Sequence, residues 1–248
     1  MAGVLCPEGL QIRLCGKRNA KSYVAITEKM MKEFGVIVRE LDDTTYEIAE
    51  KSTYQAQEYQ IEPDVSAACY FYGLAAISGR TATVKHVRYD SMQGDIKFLA
   101  VLEKMGCQIT EREEGIRVTG PERGKLVGVD VDMSDFSDQT MTLAAIAPFA
   151  EGRTIIRNVE HIRRQESDRL HGTATELKRL EIQCIEEQDG LIIEPGQMKA
   201  ARIHTYEDHR MAMAFGISAT QVQGVEILNP ECCSKTFEEF FQVLDSVI

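Results

Sequence analysis

Three segments of the chain place apolar residues three and four positions apart, a spacing that predicts one apolar face of a helix. They begin at Tyr23, Asp95 and Asp168, roughly 70 residues apart, which indicates an internal repeat. Two short strand patterns joined by an acidic or glycine turn follow each segment, as in a β-hairpin. A fourth helix is predicted from Thr236 to Val247. The alternative is a chance recurrence of common helix–hairpin patterns.

Glycine marks the expected ends of the first two repeated helices, at Gly35 and Gly106. A helix often ends in a left-handed residue, which glycine adopts without strain. Glu181 occupies this place in the third copy. The same ending is therefore expected to cost about 1 kcal/mol there, because glutamate has a Cβ.

Continuous runs of small and apolar residues lie between the repeated segments, over 65–77, 140–149 and 211–220. They predict helices buried under a sheet. The repeating unit is then β-α-β-α-β-β, an α/β (α+β) fold with helices on one side of a mixed sheet. Three units fit within residues 63–248, the last sharing strands with another part of the chain. Residues 1–62 fit one strand, one helix and two strands, so we expect the tail of another such unit, with the rest of that unit missing upstream.

The acidic balance of the chain limits its partners. Its 248 residues include 28 Lys and Arg against 39 Asp and Glu, a net charge of −11, which argues against general binding to nucleic acid or anionic membranes. The longest apolar stretch, 67–77, is too short to span a membrane, and no signal peptide is recognisable. Seven cysteines without a C-x-x-C pair predict reduced, mostly buried thiols. We predict a cytoplasmic protein.

Charged residues gather where helices are predicted to begin. Asp138 precedes the apolar run at 140, Arg169 and Arg210 start their helices, and Lys235 precedes the last one. Capping explains the carboxylates, since Asp138 and Asp95 both suit an N-cap. Capping does not explain the cations, because a helix N-terminus repels positive charge and attracts anions. We expect the three cations to converge on one polyanionic guest.

Other kinds of site are disfavoured by residue spacing. The histidines at 161, 171, 204 and 209 form no H-E-x-x-H pattern, and the sequence has neither a P-loop nor a G-x-G-x-x-G motif. No metal and no cofactor are predicted.

The charged clusters belong to a set of motifs that resembles the enolpyruvyl transferases, specifically the 5-enolpyruvylshikimate-3-phosphate (EPSP) synthases, or 3-phosphoshikimate 1-carboxyvinyltransferases. The most specific pair is Glu166-Ser-Asp-Arg169 with Asp208-His-Arg-Met-Ala-Met213, which few other families combine. The other matching segments are Glu62-Pro-Asp64-Val-Ser-Ala-Ala, Ser91-Met-Gln-Gly-Asp95, Thr175-Glu-Leu and Ser234-Lys-Thr-Phe237. The resemblance covers the C-terminal portion of the family pattern. The family's N-terminal lysine, serine-rich segment and one further arginine have no counterpart here.

The resemblance implies a fold of two similar lobes, each of three β-α-β-α-β-β units, with the active site in the cleft between them. Residues 63–248 correspond to most of one lobe and residues 1–62 to the end of the other. The family moves the enolpyruvyl group of phosphoenolpyruvate onto the 5-hydroxyl of shikimate 3-phosphate through a tetrahedral intermediate. This reaction belongs to the shikimate pathway, which leads to chorismate and the aromatic amino acids.

Roles for individual residues follow from the resemblance as well. Asp138 is implied as the base near the hydroxyl, in contact with substrate, and Glu166 as the acid/base near the methylene. Arg169, Arg210 and Lys235 are implied to grip phosphoenolpyruvate, for which the planar fork of arginine is well suited.

The resemblance also implies supporting residues, and three positions of this sequence differ from the family pattern. The implied supporting residues are Asp64, Asp208 and His209, the last two as groups that orient Arg210. Gln165 stands where the family usually has a lysine that touches shikimate 3-phosphate, and His161 where an asparagine is common. Ala20 replaces a serine that contacts the same ligand. These three departures bear on which acceptor is bound more than on the binding of phosphoenolpyruvate.

Three functions remain open at this point: part of such a synthase, a non-catalytic module derived from one, or a relative of UDP-N-acetylglucosamine enolpyruvyl transferase. The Asp-His-Arg-Met-Ala segment argues against the last. Alone, the chain is expected to be nearly inert, because three or more charged contacts worth about 1.5–3 kcal/mol each are missing. The expected partners are phosphoenolpyruvate, shikimate 3-phosphate and an N-terminal half in cis or in trans, with no nucleic acid and no membrane.

Overall fold

The computed structural model describes residues 1–16 and 21–248, so Ala20 lies outside the described residues. The chain divides into two compact units. The small unit comprises Met1–Glu62 with Met92–Gly94, and the large unit comprises Pro63–Ser91 with Asp95–Ile248.

The small unit is a helix and a three-stranded antiparallel sheet. Its elements are β1 (Leu10–Arg13), α1 (Lys21–Glu33), β2 (Val38–Asp42) and β3 (Thr45–Ile48), after a 3₁₀ turn at Ala2–Leu5. The central strand is β3, which pairs Ile48 with Leu10 on one side and with Val38 on the other. The buried core of the small unit consists of Met31, Val36 and Ile48. The predicted strand, helix and two strands are confirmed.

The large unit alternates helices with short strands. Its helices are α2 (Val65–Ser78), α3 (Phe98–Lys104), α4 (Thr140–Ile146), α5 (Arg169–Arg179), α6 (His209–Ala219) and α7 (Phe240–Val247). Its strands are β4 (Thr81–Lys85), β5 (Gln108–Arg112), β6 (Gly115–Thr119), β7 (Leu126–Val127), β8 (Asp130–Asp132), β9 (Ala150–Glu151), β10 (Thr154–Arg157), β11 (Cys184–Glu186), β12 (Leu191–Ile193), β13 (Arg202–Ile203) and β14 (Glu226–Ile227). Short 3₁₀ turns occur at Gly94–Lys97, Ser137–Gln139, Ala147–Phe149, Glu160–Arg164 and Pro230–Lys235.

The predicted repeat is visible in the order of elements. Of the three units expected within residues 63–248, the first runs α2-β4-α3-β5-β6 with strand order β4-β6-β5. The middle unit is complete, as β8-α4-β10-α5-β11-β12, with a sheet in the order β11-β12-β10-β8. In the last unit β13 pairs with β14, in parallel, and no other strand of the described residues joins them. The expectation that the last unit shares strands with another part of the chain is therefore wrong for the described residues.

The three apolar helices pack against each other, and α2 also packs against strands β4 and β6, as expected for a helix buried under a sheet. Contacts join α2, α4 and α6 pairwise. They meet at Gly73 of α2, where an added Cβ would lie 3.0 Å from Ile217 of α6 and 3.4 Å from Thr142 of α4. A helix that is apolar on every side needs such a buried position.

Two predicted N-caps are wrong, although α4 begins at Thr140 as predicted. Asp95 is not an N-cap, because it lies inside the 3₁₀ turn Gly94–Lys97 and α3 begins at Phe98. Asp138 likewise lies within the turn Ser137–Gln139 and does not cap α4. The last helix also begins later than predicted, at Phe240, so that Lys235 ends a 3₁₀ turn instead.

The helix endings agree with the sequence. Gly35, Gly106 and Glu181 all have positive φ, of 86°, 101° and 63°. In each case the amide of the following residue bonds back across the helix end, as from Ile182 N to Leu177 O at 2.9 Å. The third copy therefore keeps a glycine conformation with a glutamate side chain.

Replacing Glu181 by glycine is expected to raise the free energy of unfolding by about 1 kcal/mol, since a left-handed residue with a Cβ is strained. The Glu181 side chain is exposed, so little packing is lost. Urea unfolding measures the difference. Glu181→Ala, which keeps the Cβ, serves as the control and should show no such gain; equal gains in both variants would contradict the strain.

Candidate functional site

Arg169 is the first residue of α5 and is only 2% exposed. A charge buried this deeply needs counterions and hydrogen bonds. Its Nε donates to Asp208 Oδ2 at 2.7 Å, and its Nη2 donates to Glu166 Oε2 at 2.8 Å. Its Nη1 donates to Asp138 Oδ1 at 3.2 Å and also to the Gln165 amide oxygen. Acceptors therefore surround the guanidinium on every side that carries a donor.

The other two predicted cations reach the same carboxylates. Arg210, in the first turn of α6, donates from Nη2 to Asp138 Oδ2 at 2.8 Å. Lys235 donates from Nζ to Glu166 Oε1 at 2.6 Å. Asp138 thus bridges the two arginines, and Glu166 bridges Arg169 to Lys235. The three cations therefore lie together around two shared carboxylates, whereas their binding of one polyanionic guest stays a prediction.

Asp208 links the starts of two helices. It caps α6 by accepting from the Arg210 backbone N–H at 2.9 Å, and it also accepts from Ser167 Oγ at 3.1 Å. Burial alone would raise the pKa of this carboxyl, but the hydrogen bonds and charge of Arg169 outweigh burial and hold the pKa below its ordinary value. Asp208 is therefore ionised at neutral pH and neutralises Arg169.

His209 is buried next to this carboxylate, with 3% of its surface exposed. Burial, and then the nearby charge of Arg210, lower the pKa of the imidazole. Its Nδ1 has no hydrogen-bond partner. His209 is therefore neutral at pH 7 and adds no charge to the cluster.

The remaining predicted residues divide into two groups. Gln165 contacts Arg169, and His161 Nε2 hydrogen-bonds Ser137 Oγ at 2.8 Å, beside Asp138. Asp64 instead caps α2 by accepting from Ala67 N at 3.0 Å, a contact that organises the helix.

Asp95 is the site residue that sequence reasoning assigned incorrectly. It is buried, and its Oδ2 accepts from Gln139 Nε2 at 2.8 Å and from Ser66 Oγ. Burial raises the pKa of this carboxyl. Asp95 therefore joins the first turn of α2 to the residue next to Asp138. Its position after Gly94 resembled an ordinary helix cap, so the sequence held no clear signal of this link.

The pKa of Glu166 is strongly lowered by its cationic neighbours. The hydrogen bond from Lys235, and then the charge of Arg169, overcome partial burial and lower the pKa of Glu166 to about 2. A carboxyl whose folded pKa is depressed stabilises the fold above its unfolded pKa. This contribution is therefore complete above about pH 4.5 and is lost as the pH falls toward 2.

Replacing Lys235 by alanine is expected to raise the pKa of Glu166, because the first cause of its low value is removed. A carboxyl-carbon NMR titration measures this shift. Lys97→Ala is the matched control, since Lys97 also pairs with a carboxylate, Asp135, at 2.7 Å. An unchanged Glu166 titration in Lys235→Ala, or the same change in Lys97→Ala, would contradict this explanation.

Three cations and three carboxylates balance in charge in this arrangement, which we call the charge cluster (Asp138, Glu166, Arg169, Asp208, Arg210 and Lys235). The first turns of α5 and α6 add positive dipole ends. The Glu166 side chain is 35% exposed, and the nearly buried Asp138 side chain is 11% exposed. These two are the outer carboxylates, since the Asp208 side chain is fully buried. An incoming polyanion can therefore replace the two outer carboxylates as partner of the cations, while Asp208 stays in place.

The chain is similar in sequence to known proteins over nearly its whole length. A family model described as EPSP synthase (3-phosphoshikimate 1-carboxyvinyltransferase) matches residues 1–244. A curated protein of that name from Nostoc punctiforme is 49% identical over 220 residues, which cover 89% of this chain and 51% of the relative. One from Escherichia coli is 41% identical over 246 residues, covering 98% of this chain and 57% of the relative. The chain thus spans about half the length of the curated relatives it matches.

Solved structures share the fold. An EPSP synthase from Acinetobacter baumannii aligns with a TM-score of 0.80 and 24% identity, covering 99% of this chain and 58% of that one. The enolpyruvyl transferase NikO from Streptomyces tendae aligns with a TM-score of 0.74 and 17% identity, covering 99% and 57%. The predicted α/β enolpyruvyl transferase fold is confirmed. Within 1–16 and 21–248, no helix is long and apolar enough to cross a membrane.

Proposed function

Because this chain belongs to the EPSP synthase family, we propose that it contributes the phosphoenolpyruvate-binding side of an enolpyruvyl transferase. The complete enzyme moves the enolpyruvyl group of phosphoenolpyruvate onto the 5-hydroxyl of shikimate 3-phosphate, a step of aromatic amino acid biosynthesis. Residues 63–248 form most of one lobe, and residues 1–62 the end of the other. A cytoplasmic location stays a prediction.

The convergence of Arg169, Arg210 and Lys235 carries this proposal. Phosphoenolpyruvate presents a carboxylate and a phosphate on a three-carbon unit, so it needs several cations within a few ångströms. Two arginines offer planar forks that pair two oxygens each, and the lysine adds a point charge. The outer carboxylates Asp138 and Glu166 hold these cations until the substrate takes their place.

Once phosphoenolpyruvate has replaced them as partners of the cations, Asp138 acts as a base and Glu166 as an acid. Asp138 accepts the proton of the 5-hydroxyl of shikimate 3-phosphate while the hydroxyl oxygen bonds to C2 of phosphoenolpyruvate. Glu166 delivers a proton to the C3 methylene. The C2–O bond to phosphate then breaks as the leaving phosphate takes up the proton held by Asp138, and C3 returns its proton to Glu166, so both carboxyl groups end in their starting protonation states. When phosphoenolpyruvate draws Lys235 and Arg169 away, the causes of the low pKa of Glu166 weaken. Substrate binding thus prepares Glu166 to carry a proton.

Groups beyond the charge cluster must hold shikimate 3-phosphate. Gln165 is engaged with Arg169 and carries no charge, and His161 is bonded to Ser137. Since the chain spans about half of its relatives, the remaining cations come from the N-terminal half of the family's length, in cis or in trans. No nucleic acid or membrane takes part.

The test is phosphate release from phosphoenolpyruvate and shikimate 3-phosphate. This chain alone is expected to give none, whereas a fusion that places the N-terminal part of the Nostoc punctiforme relative before it should turn over. UDP-N-acetylglucosamine in place of shikimate 3-phosphate is the control acceptor and should not react. A folded fusion protein that releases no phosphate, or that prefers the control acceptor, would overturn the proposed function.

A further inference from the structure

Two consecutive residues with positive φ stand directly before the helix that carries Arg210. Tyr206 and Glu207 have φ values of 56° and 58°. This conformation is unfavourable for residues with a Cβ, and it persists only where neighbours impose it. The turn leads straight into Asp208, the cap of α6. What holds this turn therefore also fixes where Asp208 and Arg210 lie.

One face of α5 holds the turn. Arg169 and Glu176 are seven positions apart, about two helical turns, and so lie on the same face. Arg169 bonds Asp208, and the fully buried Glu176 accepts from the Tyr206 hydroxyl at 2.7 Å. The other Glu176 oxygen accepts from His204 N at 3.1 Å. Glu176 thus ties both the start of the turn and its first left-handed residue to α5.

Two further contacts fit the turn to its surroundings. Gly172 lies on the same face of α5, and a Cβ there would lie only 3.2 Å from the Tyr206 ring. The ring therefore rests against the helix backbone, which brings its hydroxyl to Glu176. On the other side, Asn229 Nδ2 donates to Glu207 Oε1 at 2.7 Å. Each left-handed residue has its own side-chain partner.

We propose that Glu176 and Tyr206 are positioning residues, which hold the left-handed turn and thereby set Asp208 and Arg210 for the anion. The link between this positioning role and phosphoenolpyruvate rests on the proposed function, but the restraint on the turn does not. Burial, and then the bond to Glu176, raise the pKa of Tyr206 to about 12. The hydroxyl is therefore protonated and donates to Glu176 across the neutral pH range.

Tyr206→Phe tests the restraint, because it removes one oxygen from a side chain that is 38% exposed. Loss of a hydrogen bond to a charged group is expected to shift the equilibrium between the closed and the open turn by about tenfold to hundredfold. Amide exchange of the 248-residue chain, followed by NMR, is expected to speed up about tenfold or more at His204, Asp208 and Arg210. Exchange over 212–217, inside α6, should stay the same. Tyr89→Phe, at another half-exposed tyrosine of the large unit, is the control and should change neither.

Conservative replacement separates positioning from general packing. Glu176→Gln keeps an acceptor for Tyr206 and should retain more protection of the turn than Glu176→Ala. In a parallel titration with phosphoenolpyruvate, affinity should fall with loss of turn protection and not with the Tyr89 control. Unchanged exchange in Tyr206→Phe, or equal acceleration through all of α5 and α6, overturns the positioning role. Absence of phosphoenolpyruvate binding by the unmutated chain counts against the proposed function, while the exchange data still decide the restraint.

Discussion

Replacing Asp208 by alanine is expected to lower the free energy of unfolding by about 3–5 kcal/mol, the usual loss when one partner of a buried ion pair is removed. Arg169 is 2% exposed, and the Asp208 side chain is fully buried beside it at 2.7 Å. Without Asp208 the guanidinium loses its bonds from Nε and from one Nη. The helix cap at Arg210 N is lost as well.

Asp130→Ala is the matched control, because Asp130 also receives two bonds from one arginine, Arg157, at 2.7 and 2.8 Å. That pair is half-exposed on both sides, so solvent screening leaves a far smaller loss. Urea unfolding of both variants measures the contrast. Equal losses in the two variants would show that burial of Arg169 is not what makes Asp208 essential.

Replacing Glu166 by glutamine in the fusion enzyme is expected to reduce kcat by about 10²–10⁴, the usual contribution of a positioned acid or base. KM for phosphoenolpyruvate should stay the same or fall. The reason is that glutamine competes less with the substrate for Arg169 and Lys235, which Glu166 binds at 2.8 and 2.6 Å. A residue that only bound substrate would raise KM instead.

Glu151→Gln is the control for this prediction, since Glu151 forms a similar pair with Lys125 at 3.2 Å, far more exposed. Steady-state kinetics of both variants, with phosphoenolpyruvate varied at saturating shikimate 3-phosphate, give the two constants. A Glu166→Gln enzyme with unaltered kcat would remove Glu166 from the proton transfers.

The parts of the fold that the sequence predicts well are those with local causes. Helix endings at Gly35, Gly106 and Glu181 depend on one residue's conformation and its nearest amides. The convergence of cations was also predictable, because a positive side chain in the first turn of a helix opposes the dipole and so indicates an anion. Arg169 and Arg210 carry that signal in the sequence itself.

What the sequence could not reveal depends on long-range contacts. Asp95 resembles a cap until the fold brings Ser66 and Gln139 to it, from 29 and 44 positions away. Glu176 stands in the matching segment Thr175-Glu-Leu, but that segment gives no sign of its partner Tyr206, which lies 30 positions later and donates to it. The helix packing at Gly73 likewise depends on three separate segments meeting. Local patterns contain no record of such partners.

An NMR titration with phosphoenolpyruvate tests most directly whether the three cations of the charge cluster take one common guest. We expect the guanidinium signals of Arg169 and Arg210 and the amine signal of Lys235 to move along one binding curve. The Glu166 carboxyl should move with them, and the exposed Arg157 should not. Movement of Arg157 and other surface cations to the same extent, or no movement at Arg169 and Arg210 at saturating ligand, would contradict the account.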